Sequence, residues 1–246
     1  MKQPAAIAIQ LTDIRKKYQI HHEKPTLVEK FIKEHDETFW ALKKLTLTVH
    51  KGEKIGIIGR NGSGKTTLLK IMAGITAPTS GTIQTYGRVV SLIDLEAGFH
   101  ADLTGYQNIY LNGMLLGMSR REIEAKIKDI IAFADLKQFI DAPLFTYSSG
   151  MALRLGFAVA VHAEPDILLL DENLSAGDAN FRVKARRKLQ EFFREEKTII
   201  VVTHYLDFIA ETCDRIIHIK NGSVMRDGGL EILSQYDPDW KLPQKK

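Results

Sequence analysis

The stretch Gly59-Arg60-Asn61-Gly62-Ser63-Gly64-Lys65-Thr66-Thr67 constrains this chain more than any other. It satisfies the spacing G-x-x-x-x-G-K-[ST] at Gly59, Gly64, Lys65 and Thr66. The apolar run at residues 54–58 before it reads as a buried strand, and residues 68–72 after it read as a helix that stops near Gly74. Strand, glycine-rich loop and helix are the context that gives the spacing physical meaning. Glycines let successive backbone N–H groups point into one concavity that takes phosphate oxygens, and a helix start adds the positive end of its dipole. Lys65 supplies a point charge for terminal phosphates, and Thr66 a hydroxyl for Mg²⁺. A dinucleotide-binding turn is also glycine-rich, as Gly59, Gly62 and Gly64 are here, but it has no use for Lys65-Thr66.

A chain of 246 residues makes one large domain, or one domain with a small appendage. Its hydrophobic content of 44% and charged content of 26% are those of a globular protein. The longest apolar runs, at residues 167–170 and 199–202, are far shorter than the roughly 20 residues that cross a bilayer. No secretory signal is read at residues 1–10, where a short apolar stretch gives way to a polar segment. Cys213 is the only cysteine, which excludes an intrachain disulfide and fits a reducing cytoplasm. The net charge of +4 permits a surface near anionic lipid or nucleic acid without arguing for either.

Taken in order, residues 6–14 alternate apolar and polar and read as a first strand, followed by the basic segment Arg15-Lys16-Lys17-Tyr18. Residues 21–38 interrupt the strand pattern. Within them Leu27, Val28, Phe31 and Ile32 share one helical face behind Pro25, which predicts an inserted amphipathic helix that either packs on its own domain or meets a membrane. Residues 42–49 read as the second strand. Residues 82–86 and 88–93 read as two strands around Gly87. Residues 106–116 and 120–134 look helical, the latter behind Ser119 with Glu122 three residues on, a capping pair. A helical subdomain is expected at about residues 97–160, ending in a helix that starts near Ser148-Ser149-Gly150 and stops at Pro165. A helix at 180–194 carries Arg182, Lys184, Arg186, Arg187 and Lys188, read as its solvated side. Strands follow at 197–203 and, joined by Asn221-Gly222, at 216–219 and 223–225. Residues 1–236 would form the domain, and residues 237–246 a loosely held tail. No internal repeat is visible, so each chain carries one nucleotide site's worth of motifs.

The apolar strand at 167–170 runs into Asp171 and Glu172. A carboxylate at such a strand end, beside a phosphate loop, orients Mg²⁺ through water, and this role goes to Asp171. Glu172 then polarises the attacking water as general base, a contribution of roughly 10²–10⁴-fold. His204, at the end of another apolar strand, is placed to hydrogen-bond a γ-phosphate or Glu172.

Together these parts resemble the nucleotide-binding subunit of ABC transporters. The resemblance covers nearly the whole chain: the phosphate loop, a helical subdomain, a signature sequence at Tyr147-Ser148-Ser149-Gly150-Met151, the strand ending Leu170-Asp171-Glu172, a dimer-contact loop at Ser175-Ala176-Gly177-Asp178, and a switch histidine at His204. It implies an α/β fold with a RecA-like core, an antiparallel β-subdomain and a helical subdomain. It also implies a head-to-tail homodimer holding two ATP molecules with Mg²⁺. Ser148, Ser149 and Gly150 of one copy would then face the γ-phosphate bound by the other, with Asp178 near the same site. Tyr18 would stack on adenine, with Phe39 or Trp40 as rivals.

Two departures narrow the resemblance. The usual signature is Leu-Ser-Gly-Gly-Gln, and Tyr147, Ser149 and Met151 replace its first, third and fifth residues. The usual switch-loop glutamine is absent; Leu95 or Glu96 falls nearest its place, and Glu96 is the candidate Mg²⁺ ligand there. The signature, Ser-Ala-Gly-Asp, Phe39-Trp40-Ala41-Leu42, and Ala97-Gly98-Phe99 followed by Leu103-Thr104-Gly105 together look like the ATPase subunit of bacterial polysaccharide exporters. That resemblance implies a separate pair of membrane-spanning permease subunits and a lipid-linked polysaccharide cargo such as O-antigen. It also implies a place on the cytoplasmic face of the inner membrane, with no role in nucleic-acid binding. Some members carry an additional carbohydrate-binding domain, for which a chain ending near Lys246 is expected to have no room. A soluble ABC ATPase acting on ribosomes or DNA is the alternative. A phosphate-loop kinase is a third reading, which leaves Ser148-Ser149-Gly150 and His204 without a task.

Overall fold

The computed structural model describes residues 6–20, 37–171 and 178–240. The chain opens with two long antiparallel strands, β1 (Ile7–Ile20) and β2 (Glu37–His50), paired from Ile7 opposite His50 to Ile20 opposite Glu37. Both run further than the alternation of the sequence suggests. The extension crosses the basic segment at residues 15–17, where the lysine ammonium groups lie over aromatic rings: Lys16 Nζ is 5.0 Å from the Tyr18 ring centre and Lys17 Nζ 6.0 Å from that of Trp40. The amphipathic helix expected at residues 21–38 lies outside the described residues up to 36, and residues 37 and 38 belong to β2.

β3 (Lys54–Ile58) leads through the glycine loop into α1 (Lys65–Met72). β4 (Ser80–Thr85) and β5 (Val89–Ser91) flank Gly87, as expected, but join different sheets. Asp166 fixes the crossing, since its carboxylate accepts the Arg88 N–H at 2.7 Å and so pins the chain beside the strand that follows Asp166. The helical region comprises α2 (Gly105–Leu115), α3 (Arg120–Ala134), a 3₁₀ turn at Leu144–Thr146 and α4 (Ser149–His162). Capping boxes open two of these helices, Thr104 with Gln107 and Ser119 with Glu122, each worth about 1 kcal/mol. β6 (Ile167–Asp171), α5 (Ala179–Arg194), β7 (Thr198–Val202), α6 (Leu206–Thr212), β8 (Arg215–Lys220), β9 (Ser223–Gly228) and α7 (Glu231–Tyr236) complete the described chain. α6 and α7 are too short to announce themselves in the sequence.

The three-stranded sheet runs β2-β1-β4 and the six-stranded sheet β5-β6-β7-β3-β8-β9, parallel except at β9. Both faces of the large sheet are covered, which is why β6 and β7 are buried throughout and apolar except at Asp171 and Thr198. Leu169, Ile200 and Val202 pack on α1 and the inner face of the small sheet, with Leu68, Met72, Ile9 and Leu45. Leu168, Leu170, Ile199 and Val201 face the helices, with Leu155, Phe181 and Ile209. The architecture is thus α/β, with a mostly parallel core, an antiparallel β-subdomain and a helical subdomain.

In the stretch expected to be a loose tail, Trp240 is packed against the core and its indole N–H donates to Asp207 Oδ1 at 2.8 Å. Residues 241–246 lie outside the described residues.

Candidate functional site

Register across the large sheet builds the site. Asp171 at the end of β6 pairs with Val202 at the end of β7, and Val202 pairs with Ile57 of β3. The carboxyl ends of three parallel strands therefore stand level. The phosphate loop leaves the first, Asp171 closes the second, and His204 follows the third by two residues. Open parallel sheets bind ligands at this edge.

The loop is wound around Lys65, which is only 6% exposed. Its ammonium donates to the carbonyls of Gly59 at 2.6 Å and Arg60 at 3.1 Å, inside the loop rather than out to solvent. Gly64 caps α1 with φ of +105°, a conformation that excludes side chains. A Cβ there would stand 2.5 Å from the Ala41 carbonyl oxygen. The loop is also sewn to its neighbours, since Gly222 N–H donates to the Ser63 carbonyl at 2.9 Å and Lys43 N–H to the Gly222 carbonyl at 2.8 Å. The Ser63 hydroxyl is buried and has no hydrogen-bond partner among the described residues. An orphaned hydroxyl, a buried cation and the start of a helix together fit a polyphosphate. The hydroxyl of Thr66, exposed in the first turn of α1, and the buried carboxylate of Asp171 are the hard oxygen donors that suit Mg²⁺.

The structure brings His204 to this loop. Its ring Nε2 lies 3.1 Å from Asn61 Oδ1. Glu172, with Ser175, Ala176 and Gly177, lies outside the described residues. The other expected residues are placed as follows. Ser148 caps α4, its hydroxyl accepting the Met151 N–H at 3.2 Å, and both Ser148 and Ser149 are exposed with Gly150 behind them. Their helix packs against α2, α3 and α5. Tyr147, where the resemblance expects leucine, is half-buried and donates its hydroxyl to the Phe139 carbonyl at 2.7 Å, so the ring anchors the turn before the cap. Burial, and then the nearby Asp141, pushes this phenol's pKa up.

Asp178 caps α5 through the Phe181 N–H at 2.9 Å and faces Arg154 Nη1 at 3.4 Å. The Phe181 N–H first, and the Arg154 charge after it, hold its carboxyl below the usual range. Leu95 packs on the core with its carbonyl pressed against Gly156 of α4, whereas Glu96 is exposed. Of the two switch-loop candidates, Glu96 is thus the exposed one. Tyr18, Phe39 and Trp40 are all exposed; Tyr18 pairs with Phe39 across the ladder, and Trp40 precedes Ala41, whose carbonyl abuts Gly64.

Two residues of the basic cluster on α5 are not simply solvated. Lys184 caps the end of α3, donating to the carbonyls of Ala132 at 3.1 Å and Phe133 at 2.9 Å over the Phe133 ring. Lys188 pairs with Glu191 at 3.0 Å. Sequence reasoning missed Arg154, although a single charge in the apolar stretch 151–161 was the available signal.

The family described as ABC transporter matches residues 42–175. An O-antigen export system ATP-binding protein, RfbB, of Myxococcus xanthus is 51% identical over 197 residues. That alignment covers 80% of this chain and 45% of the relative, so the chain spans less than half of it. The protein of the same name from Klebsiella pneumoniae is 39% identical over 231 residues, covering 91% of this chain and 94% of the relative. Among solved structures, the dimeric post-hydrolysis state of the ATP-binding cassette MJ0796 bound to ADP and Pi superposes with a TM-score of 0.67 at 25% identity. It covers 90% of this chain and 98% of that one.

Proposed function

The chain belongs to the ABC transporter family, and we propose that it is the ATP-hydrolysing subunit of an exporter that moves a lipid-linked polysaccharide of the O-antigen kind. One observation carries the ATPase reading: the phosphate loop, Asp171 and His204 leave three level strand ends, with His204 hydrogen-bonded to Asn61 of the loop. Identity of 39% along nearly the whole length of the Klebsiella relative supports the cargo.

The residue roles rest on the sequence motifs, supported at the phosphate loop, Asp171 and His204 by the geometry of the strand ends. The loop backbone and the start of α1, residues 59–67, hold the phosphates of ATP, and Lys65 neutralises the terminal ones. Thr66 and Asp171, with Glu96, are the oxygens that would hold Mg²⁺, whose charge offsets that of the phosphates when bound. Glu172 takes the proton of the attacking water. His204 holds the orientation of the γ-phosphate from the neighbouring strand end. Tyr18 carries the adenine.

Ser148, Ser149 and Gly150 stand exposed at a helix start on the helical subdomain, where an anion brought by a second copy of the chain would meet them. Two copies would close on two ATP molecules and open after hydrolysis, a cycle supported by the dimeric state of the solved neighbour. No helix among the described residues is long and apolar enough to cross a membrane. The motion would be passed to a separate membrane-spanning pair, on whose cytoplasmic side this subunit would sit, a reading supported by relatives named as export-system ATP-binding proteins.

The test is ATPase activity of the chain co-expressed with the membrane protein encoded beside it, wild type against Glu172→Gln, with surface polysaccharide measured in cells. Loss of hydrolysis with ATP still bound and polysaccharide retained inside is the expected result. Loss of hydrolysis with surface polysaccharide unchanged would keep the ATPase and overturn the cargo.

A further inference from the structure

We propose that Trp240 is a positioning residue for His204: its indole fixes the short helix behind the histidine, and so the histidine's place on the phosphate loop. This rests on the reading of His204 given above.

The link from β7 to α6 is only three residues, Thr203, His204 and Tyr205. A helix of seven residues does not hold itself together in water, and Tyr205 offers α6 no side-chain cap. The helix is positioned from outside. Leu206 and Ile209 are buried against the core, and Phe208 stands edge-on to Phe193 of α5 at 5.7 Å. The solvent side of its first turn is held at Asp207, whose Oδ1 accepts the Trp240 indole N–H at 2.8 Å. The backbone on either side of His204 is braced in turn. Tyr205 N–H donates to Thr203 Oγ1 at 3.1 Å, and Ile209 N–H to the Tyr205 carbonyl at 3.2 Å. A shift of α6 therefore carries the histidine with it.

The far end of this strap is built to present the indole. Ile232 and Leu233 bury α7 in the core. Beyond it Asp237 N–H returns to the Leu233 carbonyl at 2.9 Å, Asp239 N–H to Asp237 Oδ1 at 3.1 Å, and Trp240 N–H to the Asp237 carbonyl at 3.1 Å. The turn holds the Trp240 ring on the same cluster that contains Leu206 and Ile209. A tryptophan with its body packed and its one donor on a carboxylate is fixed at both ends. Catalytic groups are sensitive to misplacement by about an ångström, so a contact one helical turn away can act on rate without touching the nucleotide.

The experiment measures kcat, KM for ATP, affinity for a non-hydrolysable ATP analogue and thermal midpoint, in the full chain with its membrane partner. Trp240→Phe keeps the ring and removes the donor; Asp207→Ala removes the acceptor; Asp207→Asn keeps an acceptor oxygen. The first two should lower kcat about 3- to 10-fold with analogue affinity within about twofold, and Asp207→Asn should restore the rate. Adding Trp240→Phe to His204→Ala should change nothing further. An unchanged kcat in Trp240→Phe, or an equal loss in both backgrounds, would overturn the proposal. If His204→Ala alone keeps full activity, the role of the histidine itself fails. A loss in His204→Ala beside an unaffected Trp240→Phe removes only the strap.

Discussion

His204 Nε2 and Asn61 Oδ1 stand 3.1 Å apart, although 143 residues separate them in the chain. The bond joins the end of β7 to the loop after β3, its neighbour in the sheet. An amide oxygen only accepts, so Nε2 carries the proton and is the donor. The same N–H is what a γ-phosphate oxygen would receive. A hydrogen bond to a charged group is worth about 1.5–3 kcal/mol, so His204→Ala should lower the single-turnover rate roughly 10- to 100-fold. Affinity for ATP should barely change. A retained rate would take the histidine out of the reaction.

Gly64→Ala should be far more damaging than Gly62→Ala. Both positions have positive φ, +105° and +77°. At Gly62 a Cβ meets nothing within 4 Å, which leaves only the backbone cost of about 1–2 kcal/mol. At Gly64 it meets the Ala41 carbonyl oxygen at 2.5 Å and Leu42 Cδ2 at 2.9 Å, so the loop or β2 must move, at roughly 3 kcal/mol or more. Urea denaturation measures the difference. Similar losses at both positions would mean that β2 yields easily.

These contrasts indicate which parts of the molecule were legible in the sequence. The phosphate loop is a local pattern with a flanking strand and helix, so spacing alone reveals it. The Ser119 and Glu122 capping pair is local in the same way. The boundary between the two sheets is not, because it depends on Asp166 catching the Arg88 N–H across 78 residues. α6 was hidden because Leu206 and Ile209 are too few to display a helical period. Asp178 is legible in the sequence only as a position in a motif. Its two partners, the Phe181 N–H and Arg154, appear only once α5 and α4 are packed.

Cys213 should be inert in the native protein. Burial pushes its thiol up to about 11, so at pH 8 only about a thousandth of it is thiolate. Labelling with a disulfide reagent at that pH should be roughly 100-fold slower or more than in guanidinium, where the chain is unfolded. Rapid native labelling would show that the end of α6 opens readily, which would also weaken any strap acting on it.

Glu122 predicts an acid dependence with a definite sign. Hydrogen bonds from Ser119, its backbone N–H first, and then from Arg88 hold its carboxyl down to about 2. A carboxyl depressed in the folded state adds stability above its unfolded pKa of about 4.3, and that stability is lost as pH falls towards 2. Arg88 also reaches the carbonyls of Ala163 and Gly117, so it bridges the parallel core and the helical subdomain. Glu122→Gln should be less stable than wild type at pH 7, and the gap should close as the pH is lowered through 4 towards 2. A gap independent of pH would assign the loss to the capping geometry rather than to the charge.

Asp178 allows a test of cap against chemistry. Asparagine caps a helix as well as aspartate does, whereas alanine costs about 1 kcal/mol. If the carboxylate serves to start α5 and to face Arg154, Asp178→Asn should stay within about 0.5 kcal/mol of wild type, because an ion pair this exposed contributes little. Its ATP turnover should then stay within about twofold. Asp178→Ala should lose about 1 kcal/mol, and that loss should persist when the protein carries no nucleotide. The opposite pattern would be a tenfold fall in turnover for Asp178→Asn with stability intact. It would mean that the charge of Asp178 acts on ATP directly, and that the bond to Phe181 is only how the protein holds it in place.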